Sequence, residues 1–211
     1  MIDLEGKAIL VTGGSRGIGA AIVRAVAAAG ADVILHFAHR QDAAERLRGE
    51  IGSDRCRLVR ADLATTEGAD ELWRQALAGT SRIDTLVNNA GIFEDAPISA
   101  NDADWHRAWA RVLQVNLQAP ADLCRFAIRH FQANGGGKII NIASRAAFRG
   151  DAPDQWPYGA SKGALVTLTK TIARGFAKDN ILAFGIAPGF TETEMVTAAL
   201  DQAAIARVVA D

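Results

Sequence analysis

Six short apolar runs rich in β-branched residues, at 8–12, 33–37, 57–60, 85–88, 138–142 and 181–186, punctuate the chain. Several are continuous rather than alternating, the pattern of strands covered by helices on both faces. Longer Ala-rich stretches lie between them, and their spacing predicts helices over about 17–29, 42–51, 67–79, 103–133, 158–178 and 193–209. Pro157 suits the first turn of the fifth of these. Strand and helix alternating in this way predict an α/β fold with a parallel, doubly wound sheet and right-handed crossovers. In such sheets ligands bind at the carboxyl ends of the strands. No internal repeat or interdomain linker interrupts the pattern, so residues 1–211 are expected to form a single domain. Gly135-Gly136-Gly137 is a turn before a strand.

The chain has 211 residues, 49% apolar and 22% charged, and a formal net charge of −1. That composition suits an ordinary soluble protein with a substantial core. It supplies no basic field to attract nucleic acid or an anionic membrane, so neither is expected as a partner. No apolar run approaches the roughly 20 residues that cross a bilayer. The start, Met1-Ile2-Asp3-Leu4-Glu5-Gly6-Lys7, lacks the basic segment and apolar stretch of a signal peptide. Cys56 and Cys124 are solitary, which fits idle thiols in a reducing cytoplasm. His36, His39, His106 and His130 show no ligand spacing with acids or thiols, and no metal is expected.

Candidate chemistry lies in two places. Tyr158 and Lys162 stand four apart at the start of a helical stretch, so both project from one face. A phenol alone has a pKa of about 10. An ammonium beside it is expected to lower that value and let the pair exchange a proton with a carbonyl or alcohol oxygen. Thr12-Gly13-Gly14-Ser15-Arg16-Gly17-Ile18-Gly19 follows the first strand and leads into the first helix. Glycines there permit a tight turn and let backbone amides approach a pyrophosphate at the positive helix end. Their spacing is Gly-x-x-x-Gly-x-Gly rather than the general Gly-x-Gly-x-x-Gly.

With these motifs the chain resembles the short-chain dehydrogenase/reductase family, a Rossmann-like group, in the branch similar to 3-oxoacyl-carrier-protein reductases. The resemblance runs from about residue 5 to 195. It rests on the loop at 12–19, Asp62-Leu63, Asn88-Asn89-Ala90-Gly91, Asn116, Ser144, Tyr158-x-x-x-Lys162 and Pro188-Gly189-x-x-x-Thr193. It implies an oxidoreductase that moves hydride between nicotinamide and a small carbonyl or alcohol, with a homodimer or homotetramer as the assembly. Tyr158 would be the general acid/base and Ser144 would bind the substrate carbonyl. Lys162 would tune the tyrosine and hold the nicotinamide ribose, and Asn116 would hold a water linking Lys162 to solvent. Cofactor contacts would come from Gly13, Ser15, Arg16, Gly17, Ile18 and Gly19, from His39 and Arg40, and from Asp62 at the adenine with Leu63 behind it. Asn89, Ala90 and Gly91 would line the adenosine ribose and phosphates. Pro188, Gly189, Thr191 and Thr193 would join Tyr158 and Lys162 at the nicotinamide end.

Cofactor choice follows from charge. NAD sites place an acid at the end of the second strand, where it binds the ribose hydroxyls and repels a 2′-phosphate. Here that end reads His36-Phe37-Ala38-His39-Arg40, with no acid before Asp42, while Arg16 and Arg40 suit a 2′-phosphate. NADP(H) is therefore expected over NAD(H). Trp156, Phe148, Phe93 and Phe190 are candidates for an apolar substrate wall. Family members close the sheet with a seventh strand beyond the point where this sequence stops, so the sixth strand is expected at an exposed edge. A catalytically silent nucleotide-binding sensor on the same fold is the alternative reading.

Overall fold

The six apolar runs are six strands: β1 (Ala8–Val11), β2 (Asp32–Phe37), β3 (Cys56–Arg60), β4 (Thr85–Asn88), β5 (Gly137–Ile142) and β6 (Ile181–Ile186). The computed structural model describes residues 2–191. All strand pairs are parallel, and the order across the sheet is β3-β2-β1-β4-β5-β6. The chain starts in the middle, builds outward to β3, then returns to lay β4 on the other side of β1. The chain thus reverses direction between β1 and β4, and in the crevice at the carboxyl edge of such a switch point this topology binds dinucleotides.

Helices α1 (Gly17–Ala28), α2 (Gln41–Ile51), α3 (Gly68–Ala78), α4 (Asp102–Leu113), α5 (Ala119–Ala133), α6 (Ala146–Arg149) and α7 (Trp156–Gly175) make the crossovers and the cover. One apolar cluster joins Leu10, Leu86 and Ile139 to Leu72, Leu123 and Phe131. A second joins Val11, Leu35 and Val87 to Val23, Ala44 and Leu47. Strands buried on both faces need unbroken apolar runs, which is why the sequence shows them. Asn101 caps α4 by accepting the amide of Asp104 at 2.9 Å.

Two departures matter for the site. The helix expected over 103–133 is not continuous: residues Gln114–Gln118 form a π turn, with the Ala119 amide reaching back to the Gln114 carbonyl. Pro120 gives the reason, because it has no N–H to offer the carbonyl of residue 116 as an α-helix would require. The short helix α6, directly after Ser144, is not visible in the apolar pattern at all. Among the described residues β6 is an edge of the sheet, with Leu182, Phe184 and Ile186 exposed. The helix expected over 193–209 lies outside the described residues.

A polar ladder crosses the buried centre. Asn88 and Asn141 are register partners on β4 and β5, and Asn88 Nδ2 donates to Asn141 Oδ1 at 2.8 Å. Asn141 Nδ2 then donates to Thr169 Oγ1 on α7 at 2.8 Å, and Thr169 donates to the Leu165 carbonyl at 2.7 Å. The ladder fixes α7, which carries Tyr158 and Lys162, against the sheet. Replacing Asn141 by Leu strips partners from two buried groups, and should cost about 2–3 kcal/mol by urea unfolding with an unchanged slope. A loss below about 1 kcal/mol would show that apolar packing serves equally well there.

Candidate active site

The glycine loop is held from three sides before α1 begins. Thr12 Oγ1 accepts the amides of Asn89 and Ala90, both at 2.9 Å, and donates to the Val87 carbonyl at 3.3 Å. Asn89 Nδ2 donates to the carbonyls of Thr12 and Gly13 at 2.9 and 3.1 Å. His36, buried at the end of β2, accepts the Gly13 amide on Nδ1 at 3.1 Å. Gly13 has φ +62°, and a Cβ on it would stand 2.9 Å from Ala90 Cα. A Cβ on Gly19 would come within 2.2 Å of the Gly13 carbonyl oxygen. The loop therefore needs both glycines to pack against the β4 segment. Arg16, in extended backbone at the cap of α1, and Gly17 are exposed above it, while Ser15 and Ile18 are half-buried. This is a cradle of backbone amides at a helix N-terminus, the donor set a pyrophosphate requires.

His39 and Arg40 are exposed beyond β2, and Asp42 pairs with Arg40 at 3.5 Å and with Arg46 at 3.3 Å. Asp62 is exposed after β3 and caps its own turn, accepting the Ala64 amide at 3.0 Å. Leu63 behind it is a core residue.

On the other side of the crevice, Ser144 follows β5 and its hydroxyl accepts the Ala146 amide at 3.1 Å, which seats it at the start of α6. The Ser144 side chain acts on Tyr158, favouring its charged form. The Phe93 ring meets the Tyr158 ring edge to face at 5.0 Å between centroids. Lys162 is buried, donates from Nζ to the Ile142 carbonyl at 2.9 Å, and lies 5.7 Å from the Tyr158 ring centroid. Asn116 is fully buried in the π turn; its Oδ1 accepts the Ile92 amide at 2.8 Å, and its Nδ2 faces the Ile92 carbonyl at 2.9 Å and Ser161 Oγ at 3.2 Å. Gly91 joins the set: a Cβ there would be 3.4 Å from Asn116 Oδ1 and 3.5 Å from Lys162 Nζ. Asn116, Ser144 and the Tyr158–Lys162 pair, separate in sequence, thus surround one corner of the crevice.

The electrostatics correct one expectation. Tyr158 is not lowered by Lys162; its pKa is raised above the ordinary 10.0, chiefly by burial, opposed by the Ser144 hydrogen bond and reinforced by the Asp151 carboxylate. Lys162 is itself pushed down to about 8 by desolvation. Burial acts on both members of the pair, and spacing in sequence does not reveal it.

Pro188 is tied to the Ser144 loop through its carbonyl, which accepts the Arg145 amide at 3.2 Å. Gly189 and Thr191 are exposed beside it, and Thr193 lies outside the described residues. Of the aromatic candidates, Phe93 packs on the tyrosine, whereas Trp156 stacks edge-on with Trp105 at 5.8 Å and Phe148 points outward. Thr12 and His36 hold the loop yet lay outside the expected contacts. The signal for His36 was a lone polar residue in an apolar strand.

A family model described as short chain dehydrogenase matches residues 7–204. An uncharacterized oxidoreductase of Thermotoga maritima is 37% identical over 192 residues, covering 90% of this chain and 73% of its own. A 3-oxoacyl-[acyl-carrier-protein] reductase of Synechocystis is 36% identical over 92% of this chain and 78% of its own. Among solved structures, a 3-ketoacyl-(acyl-carrier-protein) reductase from Brucella melitensis complexed with NADH is 32% identical with a TM-score of 0.83, covering 92% of this chain and 80% of its own. A blue fluorescent protein from a metagenomic library, in complex with NADPH, is 36% identical with a TM-score of 0.85, covering 99% and 83%. The family match and these relatives make the chain an α/β nicotinamide-dependent oxidoreductase. The chain belongs to the short-chain dehydrogenase/reductase family, whose members act on CH–OH and C=O groups.

His36 also makes the fold sensitive to acid. Burial lowers its pKa from 6.5 to about 4, against the raising effects of the Ala61 carbonyl and the Asp62 carboxylate. The unfolded chain takes up a proton near 6.5 and the folded chain resists it, so this stability is complete above that pH and is lost as pH falls toward 4. The loss should total about 3 kcal/mol by urea unfolding. His36→Asn should flatten that part of the profile, and an unchanged slope in the variant would assign it to other groups.

Proposed function

We propose that this protein is an NADP(H)-dependent reductase or dehydrogenase of a small carbonyl/alcohol pair, with Tyr158 as the general acid/base. The observation that carries this reading is the meeting of Ser144, Tyr158, Lys162 and Asn116 at one corner of a crevice whose opposite wall is an amide cradle. The loop at 13–19 together with Asp62, Asn89, Ala90 and Gly91 would hold the dinucleotide, which when bound would supply or take the hydride. His39 and Arg40 would face its adenosine end; Pro188, Gly189, Thr191 and Thr193 would face its nicotinamide end.

The residues then divide the work. Ser144 and Tyr158 hold the substrate oxygen between two hydroxyls and orient the carbonyl. Tyr158, whose raised pKa keeps it protonated at neutral pH, donates its proton to that oxygen in the reductive direction and recovers it in the other. Lys162, a buried ammonium pushed down to about 8, can give up a proton to restore it. Both Nδ2 protons of Asn116 are taken by Ile92 and Ser161, and a relay water would sit on its backbone carbonyl, which Pro120 cannot reach as a helix donor. Cofactor and catalytic residues share one domain in this reading, and a homodimer or homotetramer is its assembly. The free thiols of Cys56 and Cys124 suit a cytoplasmic setting.

Tyr158→Phe keeps the ring against Phe93 and removes only the proton, so turnover should fall about 10²–10⁴-fold with NADPH affinity nearly intact. Steady-state assays with a carbonyl panel, beside NADPH titrations, check this. Near-native turnover in a chemistry-limited assay would remove Tyr158 from the mechanism.

The NADP(H) preference rests on the absence of an acid at the end of β2 and on Arg16 and Arg40 nearby. Asp42 is turned toward Arg40 and Arg46, away from the role of a ribose-binding acid. Replacing both Arg16 and Arg40 by Ala should weaken NADP(H) far more than NAD(H) in calorimetric titrations. Equal losses for the two cofactors would defeat the preference.

A further inference from the structure

We propose that His36 is a positioning residue for the dinucleotide, a neutral imidazole that clamps the glycine loop to the adenine-side loop and sets the width of the adenosine half of the crevice. It rests on the nucleotide-binding reading above and adds a determinant outside the family's motif residues.

The geometry admits one tautomer. The Gly13 amide can only donate, so Nδ1, 3.1 Å away, must accept. The proton is then on Nε2, which donates to the Ala61 carbonyl at 3.1 Å. Ala61 immediately precedes Asp62. The His36 backbone adds a third tie, its carbonyl accepting the Gly14 amide at 2.9 Å. The ring is 2% exposed, so water does not compete for these bonds. Gly13 is thus gripped at both ends: its amide by His36 and its carbonyl by Asn89 Nδ2. Two fixed peptide groups determine the direction in which the loop enters α1, and hence where the following amides point. Fixing those amides before the phosphates arrive spares the ordering cost at binding.

Three substitutions separate the bonds. Asn places an oxygen where Nδ1 is and can accept the Gly13 amide. Gln reaches the Nε2 position and can serve Ala61 alone. Phe fills the space and serves neither. Fluorescence titration of each full-length variant with NADPH should show His36→Phe weakened about tenfold, His36→Gln nearly as much, and His36→Asn, which keeps the Gly13 bond but loses the tie to Ala61, by an intermediate factor. With a carbonyl substrate that wild type reduces, the loss should fall on KM for NADPH more than on kcat. Should His36→Phe fail to fold, the Asn and Gln variants carry the comparison alone. Wild-type affinity in all variants, or equal weakening in all, overturns the inference, since the first denies a role and the second reduces it to packing. Wild type that binds neither NADPH nor NADH would defeat the nucleotide reading itself, a different failure.

Discussion

The hydroxyl of Thr12 is the interaction on which the arrangement of the crevice depends. A hydroxyl has one proton to give and two lone pairs, and here all three are used: Val87 takes the proton, and the amides of Asn89 and Ala90 take the lone pairs. These bonds join β1 to β4 at the point where the chain reverses its direction across the sheet. Strands there have finished pairing, and their loops would otherwise part freely. One buried oxygen keeps them together long enough for Gly13 to pack on Ala90. The glycines are required because this stitching brings two backbones closer than any Cβ permits.

The same device recurs throughout the site. Asn116 grips the amide and carbonyl of Ile92, Lys162 donates to the Ile142 carbonyl, and the Ser144 hydroxyl accepts the Ala146 amide. Asn116 and Lys162 are bonded to main chain from other segments, and Ser144 to its own turn. Main chain in a buried parallel sheet moves little, so this fixes the site at the rigidity of the scaffold. The polar ladder from Asn88 through Asn141 to Thr169 extends the same logic to α7.

Most of this fold was legible because both-face burial leaves a mark on sequence: the unbroken runs such as Ile139-Ile140 have no polar face to show. The strands match their expected positions within a residue or two at each end. The break in the long helix was legible in principle, since Pro120 stands inside it, but an apolar stripe on both sides hides a change of hydrogen-bond spacing. Ser144, Tyr158, Lys162 and Asn116 were found as motif residues, and their convergence required the three-dimensional register of β4, β5 and α7. His36 was not legible as a site residue. In Val33-Ile34-Leu35-His36-Phe37 a single polar residue reads as scatter until β1 lies beside β2 and the Gly13 amide is seen to need an acceptor.

The pKa of the tyrosine shows where sequence logic stops. A lysine one helical turn away argues for a lowered value, and the argument is sound for two groups in water. Both groups here are largely removed from water, and the penalty for charge then acts on each. The phenol also faces a carboxylate in Asp151, which raises its pKa further. The result is a protonated tyrosine beside an ammonium that gives up its proton more readily than a free lysine would. Such a set is suited to giving a proton to an oxygen that is gaining negative charge, because the phenolate becomes favourable only as that charge appears and the ammonium can refill it. In the proposed reaction the protonation state of the tyrosine is thereby set by burial as much as by the identity of its neighbours.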